Sequence, residues 1–136
     1  LMVFKNNISI IEATTKVVMM LLFIAAFHKT SAQQATVQQA LKALQTEDLE
    51  TAKWKIDSAA VHEETKDSSS TWYYRGFIYK DLFKRDEASD INSELREKSI
   101  EYFTKAYEME KGSPFSKGCV NTIKYFAQTF YNQSQF

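Results

Sequence analysis

Apolar positions along most of the chain recur at the three- and four-residue spacing of helices buried on one face. Val37, Ala40, Leu41 and Leu44 predict a first helix over about residues 35–44. Thr46-Glu47-Asp48 reads as the next start, a capping hydroxyl followed by two acids in the first turn. The second helix then runs to about Glu63 and buries Leu49, Ala52, Ile56, Ala59 and Ala60. After the polar break at Lys66–Ser70, with Ser69 or Ser70 as cap, an aromatic helix is expected from about Thr71 to Phe83. A charged loop over residues 84–92 leads to a fourth helix from Ser93, with Ile100, Phe103, Ala106 and Tyr107 on its stripe. Gly112-Ser113-Pro114 stops it: glycine permits a left-handed cap and proline forbids continuation. A fifth helix follows from Lys117 or Val120 towards Gln133.

The start of the chain has a different pattern. Residues 17–27 form an unbroken apolar run, preceded by Lys5 and Lys16 and followed by His28-Lys29-Thr30-Ser31-Ala32. A positive flank, an apolar stretch and small residues compose a secretory signal, with cleavage expected after Ala32. As a helix the run reaches only roughly 16 Å, about half a hydrocarbon core, and Lys16 and Glu12 oppose extending it upstream. Residues 1–32 are therefore read as the signal and residues 33–136 as a secreted or periplasmic domain. No membrane insertion of the mature chain is expected.

Composition supports helices over sheet. Three glycines and one proline in 136 residues leave little turn chemistry for a multi-stranded sheet. Basic and acidic residues balance at 17 each; without residues 1–32 they number 14 and 16, a net charge of −2. No basic stripe is present, which argues against a nucleic-acid partner.

Within this helical frame two segments share a pattern. Trp72-x-x-Arg75-Gly76-x-x-Tyr79 is followed by Ser99-x-x-x-Phe103-x-x-Ala106, and Ala52-x-x-x-Ile56-x-x-Ala59 repeats the second spacing. Near the end, Phe126-Ala127-x-x-Phe130 echoes Arg75-Gly76-x-x-Tyr79, with Ile123 at the place of Trp72. This set resembles the tetratricopeptide repeat (TPR) family. The resemblance implies an all-α fold, an antiparallel helix-pair array of about two and a half repeats, continuing beyond Phe136. Ala52, Ile56, Ala59, Trp72, Gly76, Tyr79, Ser99, Phe103 and Ala106 would be the packing residues. Three departures stand out: Ala52 and Ser99 lie 47 residues apart against about 34 in the family, Arg75 replaces a leucine, and Lys111 stands where a proline would close the unit.

The resemblance also implies a function, a protein–protein interaction module holding a peptide or helix in a groove. Tyr73 and Phe77 lie on the stripe that lines this groove in the family, and Lys80, Lys124, Gln128 and Tyr131 would join them. Plain packing between units is the alternative role for those aromatics, while Trp72, Tyr79, Phe103 and Phe130 read as core. A structural spacer within a longer repeat scaffold is the alternative function.

Enzyme chemistry finds little footing. The chain has two histidines, and His28 leaves with the signal. His62 at the second helix's end suits a surface position near the helix dipole's negative pole. No Ser-His-Asp or zinc-hydrolase set can be assembled, and no metal or cofactor is expected. Asp86, Asp90, Asn92 and Glu94 lack the spacing and glycine of a calcium loop and read as solvated. The lone cysteine, Cys119, reads as a buried thiol.

Overall fold

A computed structural model describes residues 15, 16, 18, 19 and 34–135. The chain divides into two compact units, Leu1–Ala32 and Gln33–Phe136. In the first, Thr15, Lys16, Val18 and Met19 are helical. The rest of the expected signal, including the apolar run beyond Met19 and the cleavage point after Ala32, lies outside the described residues. Among the described residues no helix is long and apolar enough to cross a membrane.

In the second unit every regular element among the described residues is helical. Helix α1 covers residues 34–45. It is followed by α2 (Leu49–Val61), α3 (Ser69–Leu82), α4 (Glu94–Met109) and α5 (Ser116–Gln133).

The α1–α2 junction corrects the expected cap. Thr46 does not start α2; its hydroxyl donates back to the Ala43 carbonyl at 3.0 Å. Glu47 takes a left-handed φ of 59°. With Glu47 N–H on Leu44 O at 3.1 Å and Asp48 N–H on Ala43 O at 3.0 Å, this is a Schellman closure of α1. Asp48 is the N-cap of α2, accepting from Thr51 N–H at 3.1 Å, and this bond holds its carboxyl below the usual value. Two residues of shared closure and cap explain why α2 starts later than the hydroxyl suggests. It also ends at Val61 rather than Glu63, with the buried Thr65 hydroxyl donating to Ala59 O at 2.5 Å.

Helix α3, by contrast, starts earlier than expected. Ser68 is its N-cap, and Ser69 lies in the first turn, where its hydroxyl donates to Glu110 Oε2 at 2.5 Å. The loop expected over residues 84–92 is partly helical: Phe83–Glu87 continues α3 as a wider π turn. That turn delivers Glu87 to the start of α4, where its carboxylate accepts from Ser93 Oγ at 2.6 Å and Leu95 N–H at 3.2 Å. Ser93 in turn caps Arg96 N–H at 3.1 Å. Gly112 has φ +88°, the left-handed geometry expected where the chain leaves α4.

Consecutive helices α2 to α5 pack antiparallel. Trp72 meets Tyr102 and Gly76 meets Phe103, while Glu50 pairs with Arg85 and Asp57 with Arg75. Two adjoining apolar clusters form the core. One gathers Val37, Ala40 and Ala43 of α1 with Leu49, Ala52, Ile56 and Ala59 of α2 and Ile78 and Leu82 of α3. The other joins Ala60, Trp72 and Tyr79 to Tyr102, Phe103 and Ala106 of α4 and Cys119 of α5. Burying each large side chain stabilises by roughly 1.5–3 kcal/mol.

All the residues singled out for packing, Ala52, Ile56, Ala59, Trp72, Gly76, Tyr79, Ser99, Phe103 and Ala106, are buried. At the α3–α4 crossing a Cβ on Gly76 would lie 2.9 Å from the Phe103 ring, and Ser99 Oγ donates to Gly76 O at 2.8 Å. Arg75, where the resemblance puts leucine, keeps a flat packing surface. Its guanidinium lies 4.1 Å from the Tyr102 ring centroid while Nε–H donates to Asp57 Oδ1 at 2.8 Å. Asp57 also takes Lys53 at 2.9 Å and the Tyr79 hydroxyl at 2.9 Å, which ties α2 to α3.

Two stripe assignments differ from expectation. Ile100 and Tyr107 of α4 are only half-buried, because Tyr102 and Arg96 turn inward instead. Phe130, expected in the core, is 50% exposed. Cys119 and Phe126 are the buried residues of α5, Phe126 meeting Phe83 edge-on at 5.6 Å, and no described helix covers the outer face of α5.

Candidate functional site

Between α1 and α3 lies an open cleft of about 370 Å³, lined by Leu41, Leu44, Gln45, Tyr73, Tyr74 and Phe77. Helical spacing produces each wall. Leu41, Leu44 and Gln45 follow the buried Ala40 and Ala43 around α1. Tyr73, Tyr74 and Phe77 sit on the flank of α3 next to the buried Trp72, Gly76 and Ile78. A half-buried apolar wall with a few polar tips is the ordinary lining of a cleft that accepts an apolar segment.

The α3 wall is rigidly held. Tyr73 contacts the rings of Phe77 (5.3 Å), Phe103 (5.6 Å) and Phe115 (4.8 Å). Its hydroxyl lies 2.6 Å from where a Cβ on Gly118 would be, so that glycine lets α5 approach. Burial pushes the Tyr73 phenol up, which keeps it neutral. Lys80 places Nζ 3.7 Å from the Phe77 ring centroid, and burial lowers its pKa. Phe77 thus touches both Tyr73 and Lys80, but only Tyr73 and Phe77 line the cleft.

Lys124, Gln128 and Tyr131 do not line this cleft. They are exposed along α5, Gln128 donating to Asn132 Oδ1 at 2.9 Å and Tyr131 being 61% exposed. The sequence reading did not select Leu41, Leu44, Gln45 and Tyr74 for the site. Their signal was present: apolar residues at the margin of a buried stripe. It identifies no cleft until the facing helix is known.

The remaining candidates are accounted for locally. His62 is the C-cap of α2, and its Nδ1 accepts Glu64 N–H at 3.3 Å. In the former loop, Asp86 pairs with Arg85 at 2.6 Å, Asp90 accepts Asn92 N–H at 2.8 Å, and Glu94 pairs with Lys98 at 3.5 Å. Among the described residues no group of three or more His, Cys, Asp or Glu is placed to hold a metal ion. Cys119 is fully buried, and burial pushes its thiol up, away from the reactive thiolate.

No family model matches the chain, and neither the curated proteins nor the solved structures contain a match to it.

Proposed function

We propose that residues 33–136 form a non-enzymatic protein–protein interaction module with a TPR-like arrangement of helix pairs. It takes an apolar peptide or helix into the α1–α3 cleft. The cleft carries this reading: six half-buried or exposed side chains, three of them aromatic, leave an apolar trough open between α1 and α3. The close Gly76–Phe103 crossing and the matched burial of Ala52, Ile56, Ala59 with Ser99, Phe103, Ala106 support the repeat-like part. A secretory signal in residues 1–32 would place the module in the bacterial envelope or outside the cell.

The test is selection of binding peptides from a displayed library against the full chain, followed by Leu44→Glu and Phe77→Ala. Selected peptides that lose binding to both variants, while each variant still melts cooperatively, support the cleft. Peptides indifferent to both variants, or none selected at all, reject it.

The second reading is a spacer in a longer repeat scaffold. It is favoured by the outer face of α5, which leaves Tyr125, Phe130 and Tyr131 exposed at 41%, 50% and 61%. Adding no further chain, that reading expects no selected peptide at α1–α3 and self-association through α5.

A further inference from the structure

Arg96 is 3% exposed, yet no carboxylate pairs with it among the described residues. Its hydrogen bonds go to neutral acceptors: Nη1–H to Gln133 Oε1 at 2.7 Å, and Nη2–H to the Ile91 carbonyl. Its plane also lies near two rings, Phe130 at 5.0 Å and Phe83 at 5.6 Å. The other arginines that bridge helices are ion-paired, Arg75 with Asp57 and Arg85 with Glu50. A buried charge normally has a counter-charge, because neutral hydrogen bonds and ring faces replace only part of its lost hydration. An exception needs a cause.

The surroundings supply one. Arg96 lines a cleft of about 300 Å³ between α4 and α5, whose walls are Ile100, Ile123, Phe126, Ala127 and Phe130, with Glu97 also at its lining. Guanidinium donors not used by Gln133 and Ile91 remain available to a planar acceptor, and a carboxylate matches that fork in charge and geometry. The walls match an apolar tail. The volume is at the small end of ligand clefts, and a guanidinium this buried is out of reach of a carboxylate displayed on a flat protein surface. This site shares no residue with the α1–α3 cleft and does not depend on that reading.

We propose that the α4–α5 cleft binds a small monocarboxylate with a short apolar tail, its carboxylate on the Arg96 guanidinium and its tail against Ile100, Ile123 and Phe130. Glu97, an exposed acid, weakens the site without closing it.

The experiment is titration of the full chain at neutral pH with hexanoate, hexan-1-ol and hexylamine, followed by calorimetry and by methyl shifts of Ile100 and Ile123. Hexanoate is expected to bind with a Kd on the order of 1 mM or below, with both isoleucines shifting. Hexan-1-ol should bind roughly ten- to a hundred-fold more weakly, the worth of one charged hydrogen-bonded contact, and hexylamine not at all. Ala127→Trp fills the cleft from an exposed position and should abolish binding without lowering the melting temperature. Glu97→Gln should tighten it about two-fold or more. Arg96→Met should lose the preference for hexanoate over hexan-1-ol. Equal binding of acid and alcohol, or binding unchanged in Ala127→Trp, overturns the proposal. Capture of a peptide carboxyl terminus without hexanoate binding also overturns it, since the occupant would then be a protein chain.

Discussion

If the α3–α4 crossing is set by Gly76, the effect of adding one methyl there should change sign with the residue opposite. In an ordinary helix interior Gly→Ala stabilises by about 1 kcal/mol. Here the new Cβ would sit 2.9–3.0 Å from three atoms of the Phe103 ring. Phe103 cannot swing aside, because it is fully buried and clamped by Tyr73 at 5.6 Å and Phe77 at 5.7 Å. Overpacking of this kind costs about 1–3 kcal/mol. The balance for Gly76→Ala is a net loss of about 0–2 kcal/mol, equivalent to as much as roughly 8–16 °C in a domain of this size. In a Phe103→Leu background the rigid ring is gone, and Gly76→Ala should instead recover close to the full helix-propensity gain. The double-mutant cycle should therefore show a coupling of about 1–3 kcal/mol. Urea unfolding followed by helical circular dichroism measures all four proteins. If Gly76→Ala stabilises the parent by about 1 kcal/mol, or changes both backgrounds equally, the helices do not close on Phe103 at this point.

Three further outcomes follow from the same packing. Trp72→Ala should cost about 3–5 kcal/mol in urea unfolding, since Trp72 is 7% exposed and its Nε1–H donates to Lys66 O at 2.6 Å; a loss near zero would remove it from the core. Burial pushes the Tyr102 phenol up to about 12, above the ordinary tyrosine value near 10. The unfolded chain then ionises first, so this contribution is whole below about pH 10 and is lost as pH rises through about 12, by roughly 3 kcal/mol at most. Tyr102→Phe should remove that part of the alkaline slope, leaving a residue from Lys53, whose pKa is raised by its hydrogen bond to Asp57. Glu47→Gly should raise the melting temperature by relieving the left-handed φ of 59°, a gain of about 0.5–1 kcal/mol; a fall would mean the Glu47 side chain contributes more than the strain.

The sequence made the helices legible because their buried residues form narrow stripes of fixed period. The α2 stripe Leu49, Ala52, Ile56, Ala59 and Ala60 is buried as read, since an amphipathic pattern depends only on the helix itself. Boundaries were less legible where a polar residue had two possible partners. Thr46, Ser68 and Ser69 all carry cap-forming hydroxyls, and only the path of the neighbouring helix decides which one caps and which one bonds elsewhere. The candidate site was half legible for a related reason. Tyr73 and Phe77 mark the α3 wall from sequence alone. Their facing residues belong to α1, and Leu41 and Leu44 look the same in sequence whether they meet solvent, core or cleft. Arg96 shows the limit most clearly. An arginine on α4 reads as surface, and only the inward turn towards Gln133 and Phe130 makes it a buried charge. A period describes one helix, whereas a cleft is a relation between two. The residues that make the clefts are therefore the ones least distinguished by their own spacing.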